Sequence, residues 1–171
     1  GSSTSRTLRF VAFANEEPPF FQTQDMGSLV YARRSRHRNE NIILMFSLET
    51  IGYYTEAPNS QRYPLPLSLI YPSTGNFIGF VSNLANSDWV QRAVGNFRQH
   101  TRFPSEGAAL FGWLSGVGWS DHWAFWQEGF PAIMVTDTAL FRDPYYHTAN
   151  DTPDHIHYGH LARVVSGLQQ V

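Results

Sequence analysis

Apolar and polar residues fall in blocks along the chain, and the period of the blocks changes from one to the next. Residues 7–13 (TLRFVAF) are apolar, aromatic and β-branched, and Asn15, Pro18 and Pro19 stop the run, so a strand is predicted that ends at the acid pair Glu16 and Glu17. Residues 24–38 carry Met26, Leu29, Val30 and Ala32 at helical spacing behind Asp25, which is suited to cap a helix. Residues 41–48 are a continuous apolar run of strand length, the pattern of a strand covered on both faces, and this run also ends in a carboxylate, Glu49.

Further along, residues 57–72 hold prolines at 58, 64, 66 and 72 and read as a loop with a short strand over 67–71, followed by a strand over 77–81. Ser87 reads as the N-cap of a helix reaching Thr101, with Trp89, Val90, Ala93, Val94 and Phe97 on one face. After the Gly- and Trp-rich stretch 108–119, residues 120–126 open a helix and 131–137 form a last buried strand. A closing helix over 155–171 sets Leu161, Val164, Val165 and Leu168 in register.

Strand, helix and buried strand make a βαβ unit. The chain therefore reads as α/β, with a mostly parallel, doubly wound sheet and helices on both faces, and ligand sites in such sheets lie beyond the carboxyl ends of the strands. No repeat or low-complexity tract divides it, so residues 6–171 read as one domain and 1–5 (GSSTS) as a tag or linker remnant.

Composition narrows the function. A formal net charge of -2 lacks the basic excess of a nucleic-acid binder, and the one basic cluster, Arg33 to Arg38, reads as a solvated face. The sequence holds no cysteine, which excludes disulfides, thiolate catalysis and cysteine-bound zinc, so any metal must be held by oxygen and imidazole. There is no apolar run long enough for a membrane span. Compartment stays open, and an extracytoplasmic or membrane-anchored full-length protein is compatible with the sequence.

Each polar feature has an ordinary reading by itself: a solvated turn for Glu16 and Glu17, a hydrogen-bonded loop residue for His147, a helix cap for Asp121. Gathered at one sheet edge, Glu16, Glu17, Glu49 and His147 mean something else. Clustered carboxylates raise one another's pKa unless a cation neutralises them, and carboxylate with imidazole is a donor set that zinc accepts.

Four motifs in order, FANEEPPFF, SLETIGYY, SDHWAFWQEGFPAIMVTD and YYHTANDTPD, resemble those of the M28 zinc aminopeptidases, the group that includes bacterial leucyl aminopeptidases and the related glutaminyl cyclases. The resemblance runs from Thr7 to Leu168. It implies a zinc-exopeptidase fold of the phosphorylase/hydrolase-like type and hydrolysis of N-terminal residues from peptides through a metal-bound water. Carried over by motif, Glu16 is the general base, Glu17 a metal ligand, Glu49 a ligand to the other metal and His147 the last ligand. Asp121 supports the site, and Tyr145 or Tyr146 hydrogen-bonds a developing oxyanion.

The family pattern also requires a His and a metal-bridging Asp upstream of the acid pair, and the 15 residues before Glu16 contain neither. The expectation is therefore the C-terminal part of a catalytic domain with its N-terminal strands missing. Such a chain would hold an incomplete two-zinc site, have little peptidase activity, and form a homodimer through an exposed sheet edge. Substitution of the missing ligands by His155, His157 or His160 is the lesser alternative. Two other functions stay in view: a non-catalytic binding or interaction module on the same fold, and a glutaminyl-cyclase-like acyltransferase.

Overall fold

The computed structural model describes residues 6–171; the expected tag or linker remnant, 1–5, lies outside them. Four strands, β1 (Met45–Glu49), β2 (Ile78–Asn83), β3 (Ser105–Leu110) and β4 (Ala132–Thr136), form one sheet in the order β1-β4-β2-β3. β1 runs parallel to β4 and β2 parallel to β3, while β2 and β4 are antiparallel, so the sheet is mixed. The carboxyl ends of β1 and β4 thus lie beside the amino ends of β2 and β3.

Helices cover both faces. α2 (Ser87–His100) and α5 (Tyr158–Leu168) take one, where Val90, Val94 and Phe97 pack on Ile78, Phe80, Ile133 and Val135. α1 (Gly27–His37) and α3 (His122–Gln127) take part of the other, with Met26, Leu29, Ala32 and Phe125 packed on Ala132. Alternation along β4 explains the split, because Ile133 and Val135 point one way and Ala132 and Met134 the other. α4 (Ala139–Arg142) is a single turn after β4.

Four expectations need correction, the simplest being that Ser87 is the first residue of α2, with Asn86 in the cap position. Residues 7–13 form no strand and so complete no βαβ unit. Strand-like composition without a ladder partner does not make a strand. Side chains anchor the segment to α1: the Phe13 ring stands edge-on to Tyr31 at 5.4 Å, and Arg9 reaches Tyr31 and Glu40. Glu16 and Glu17 accordingly sit in the turn before α1, not at a strand end. Asp25 does not cap α1, whose first residue, Gly27, donates its N–H to the Ala14 carbonyl at 2.9 Å. A Cβ at Gly27 would stand 2.5 Å from that carbonyl oxygen, so only glycine lets the acid-bearing segment lie this close. Residues 67–71 hold a short 3-10 turn over Leu67–Leu69 in place of a strand, following prolines 64 and 66 that cannot donate to a ladder.

Candidate active site

The carboxyl end of β1 delivers Glu49, the turn before α1 delivers Glu16 and Glu17, and the start of α3 delivers Asp121, all at one edge of the sheet. Glu16 and Glu49 feel the other acids. Partial burial, then the charges of Glu49, Asp121 and Glu17, push the Glu16 carboxyl up to about 7. Burial also raises Glu49, with the Ser120 hydroxyl pulling it back and Glu17, Asp121 and Asp137 adding to the rise. Asp121 is raised by burial against the nearby Ser28 hydroxyl, and its Oδ1 is buried with no hydrogen-bond partner among the described residues.

His147 comes from the loop after α4, and its Nε2 lies 3.5 Å from Glu17 Oε1. Its ring stacks on Tyr146 at 4.0 Å. Burial and the charges of Glu49, Glu17 and Glu16 push the Tyr146 phenol up to about 12, so this tyrosine faces the acids. Tyr145 instead stacks on His155 at 3.8 Å.

The backbone at the site is held in unusual conformations. Asn15, Thr50 and His147 have φ of 59°, 42° and 58°, a region that non-glycine residues seldom occupy. Each adjoins or is one of the acid and imidazole donors, and such strain persists only where the surroundings over-determine it.

The device behind Thr50 went unread in the sequence. Asp137, 1% exposed, accepts hydrogen bonds from the Gly52 and Tyr53 N–H groups, both at 2.8 Å, while its own N–H donates to the Thr50 carbonyl at 2.7 Å. Arg142 backs it with an attractive charge and donates to Gln61 and to the Phe77 and Tyr53 carbonyls. This clamp fixes the chain just after Glu49. A carboxylate closing a buried strand, with an arginine five residues on, was the signal available.

Among the described residues, no group of three or more His, Asp or Glu is arranged to hold a metal ion. Glu17 and His147 are close enough to share one, yet two donors fall short of the three protein ligands of a catalytic zinc. The residues present do not make a complete zinc site. His155, His157 and His160 do not supply the missing donors: His157 and His160 stack on each other at 3.7 Å, and His155 stacks on Tyr145.

Beside the acids an open cavity of about 270 Å³ extends over the sheet face that α1 and α3 leave uncovered. Val81, Ala108 and Met134 form its floor, Tyr63 to Leu67 and Leu140 its walls, and Glu49 and Tyr146 its end at the acid cluster.

The model of peptidase family M28 matches residues 1–171. The chain belongs to this family. Over 162 residues it is 39% identical to YfbL of Escherichia coli (strain K12), itself uncharacterized, covering 94% of this chain and 49% of YfbL. M28 aminopeptidases of known structure share the fold. LapA of Legionella pneumophila superposes with a TM-score of 0.62 at 17% identity, covering 84% of this chain and 34% of LapA. The zinc aminopeptidase BSAP of Bacillus subtilis gives 0.57 at 20% identity, covering 84% and 31%. This M28 chain therefore spans about half the length of YfbL and about a third of those solved structures.

Proposed function

We propose that this chain is the part of an M28 aminopeptidase that carries the proton-transfer carboxylate and the substrate cavity. In this reading it acts on peptides bearing a free N-terminus, and the 171-residue chain by itself binds zinc weakly and hydrolyses little. The observation that carries the reading is Glu16, a half-buried carboxyl among three others whose pKa stands near 7. A group that titrates near neutrality can take a proton from an attacking water and return it to the leaving amine. Tyr146 remains a phenol at the same pH and can donate a hydrogen bond to a carbonyl oxygen as negative charge develops on it. Glu17, Glu49 and His147 are the metal donors this chain contributes in this reading, Asp121 supports them, and Tyr145 stands aside.

A non-catalytic binding module on the same fold is the second reading, favoured by the absence of a three-donor group among the described residues. Metal analysis of the dialysed protein, run beside an aminoacyl amide assay, tests the proposal. We expect zinc well below stoichiometry and residual hydrolysis that falls about 10²-fold or more in Glu16→Gln. About two zinc ions per chain together with vigorous hydrolysis would overturn the expected weakness. Residual hydrolysis unchanged in Glu16→Gln would sink the role of Glu16.

A further inference from the structure

The cavity has a polar far end that the acid cluster does not explain. Glu49 pairs with Thr136, Thr136 with Gly79, and Gly79 with Glu106, so these four residues form one row straight across the four strands. Cross-strand partners point to the same face, and all four line the cavity. Three strand spacings separate the ends of the row, about 14 Å between the backbones of Glu49 and Glu106. Between them Gly79 contributes no side chain, and the methyl groups of Thr138 and Thr136 lie 3.5 and 3.8 Å from where its Cβ would stand, forming part of the floor.

The charges that line the cavity are of one sign, and the cation that pairs with Glu106, Arg98, lies outside the lining. The lining contains two carboxylates, Glu49 and Glu106, and no Arg, Lys or His. Arg98 approaches Glu106 to only 3.6 Å and directs its hydrogen bonds to Ser105, so Glu106 accepts no hydrogen bond from the described residues. Arg142, behind the wall, is engaged by Gln61, Phe77 and Tyr53 and answers the charge of Asp137. The Tyr63 hydroxyl is buried in the wall without a hydrogen-bond partner among the described residues, and the opposing charges of Arg142 and Glu106 both reach it. An acceptor pair, Glu106 and Tyr63, thus stands at the end of an apolar passage.

Resting on the aminopeptidase reading above, we propose that this cavity selects peptides whose N-terminal residue is lysine or arginine, with Glu106 as the specificity-determining residue. The stem of such a side chain lies along Val81, Ala108 and Met134, where its methylenes replace water on apolar surface. Its cationic head meets the Glu106 carboxylate, with the Tyr63 oxygen as a second acceptor. An apolar side chain of the same length would fill the passage but leave both acceptors to water.

Calorimetric titration of the 171-residue chain with L-lysinamide, L-norleucinamide and Nα-acetyl-L-lysinamide tests this. Lysinamide is expected to bind roughly tenfold more tightly than norleucinamide, a modest ratio because Glu106 is partly exposed. In Glu106→Gln the two should bind alike, with norleucinamide affinity unchanged, and Tyr63→Phe should weaken lysinamide alone. Equal binding in the parent, a preference that survives Glu106→Gln, or no binding of any probe would overturn the assignment. Acetylation separates the two claims. If Nα-acetyl-L-lysinamide binds as well as lysinamide, the requirement for a free N-terminus fails, whereas the lysine to norleucine ratio alone decides the role of Glu106.

Discussion

Between the Val117 carbonyl and the edge of Trp126, the His122 ring is sealed from water. Its Nε2 lies 2.7 Å from the carbonyl oxygen, and its Nδ1 is buried without a hydrogen-bond partner among the described residues. Burial lowers its pKa from 6.5 to about 4, so the folded protein holds it neutral where the unfolded chain binds a proton. Between those two values the unfolded state carries more protons, and stability must rise with pH. We expect the stabilisation to be fully present above about pH 6.5 and to be lost as pH falls toward 4, by about 3 kcal/mol in all. Urea unfolding at a series of pH values measures this, and His122→Gln should flatten the slope. At this scale the sequence was legible wherever a residue carries its meaning in its neighbours. Glu16, Glu17, Glu49 and His147 announce themselves through motifs. Glu106, Tyr63 and Asp137 do not, because each takes its role from cross-strand register or loop closure, which no local pattern encodes.

The contact between α2 and α5 turns on one glycine. A Cβ at Gly167 would stand 2.4 Å from Cε2 of Phe97, whose ring is fully buried against Phe80 at 5.3 Å and cannot readily yield. Overpacking of this kind costs about 1–3 kcal/mol, more than the ~1 kcal/mol that alanine gains over glycine in a helix. Gly167→Ala should therefore lower the melting temperature. Gly95→Ala in α2, where nothing lies within 4 Å, should raise it, and thermal denaturation of the pair separates packing from propensity. The α2 and α5 stripes were readable because apolar residues recur with helical period. β3 was not foreseen, since its sequence, SEGAAL, lacks the β-branched residues that mark a strand and pairing with β2 makes it one. The opposite error befell residues 7–13, where composition promised a strand and the structure supplies no edge.

At the scale of the whole molecule, the sheet has β1 as one border, and the outer side of β1 meets no strand among the described residues. Large apolar side chains are exposed on the strand and in the amino-terminal segment: Leu48 at 57%, Leu8 at 70% and Phe10 at 90%. Unpaired edges with apolar flanks favour association. Sedimentation velocity of this chain should show a species that grows with concentration, consistent with the homodimer expected from the sequence. Phe10→Lys combined with Leu48→Lys should return it to a monomer, and a monomer at all concentrations in the parent would remove the edge from consideration. No helix among the described residues is long and apolar enough to cross a membrane.

β1 also carries Glu49, and that coincidence has a further consequence. A border strand held by one ladder belongs to the part of a protein that opens at least free-energy cost, well below global unfolding. The Asp137 clamp holds only the residues that follow it. One carboxylate of the site therefore rides on one border strand, while Glu106 rides on the other, β3, which α2 covers. Whatever pairs with the outer side of β1 would order Glu49 as it docks, and would do so without touching the far end of the cavity.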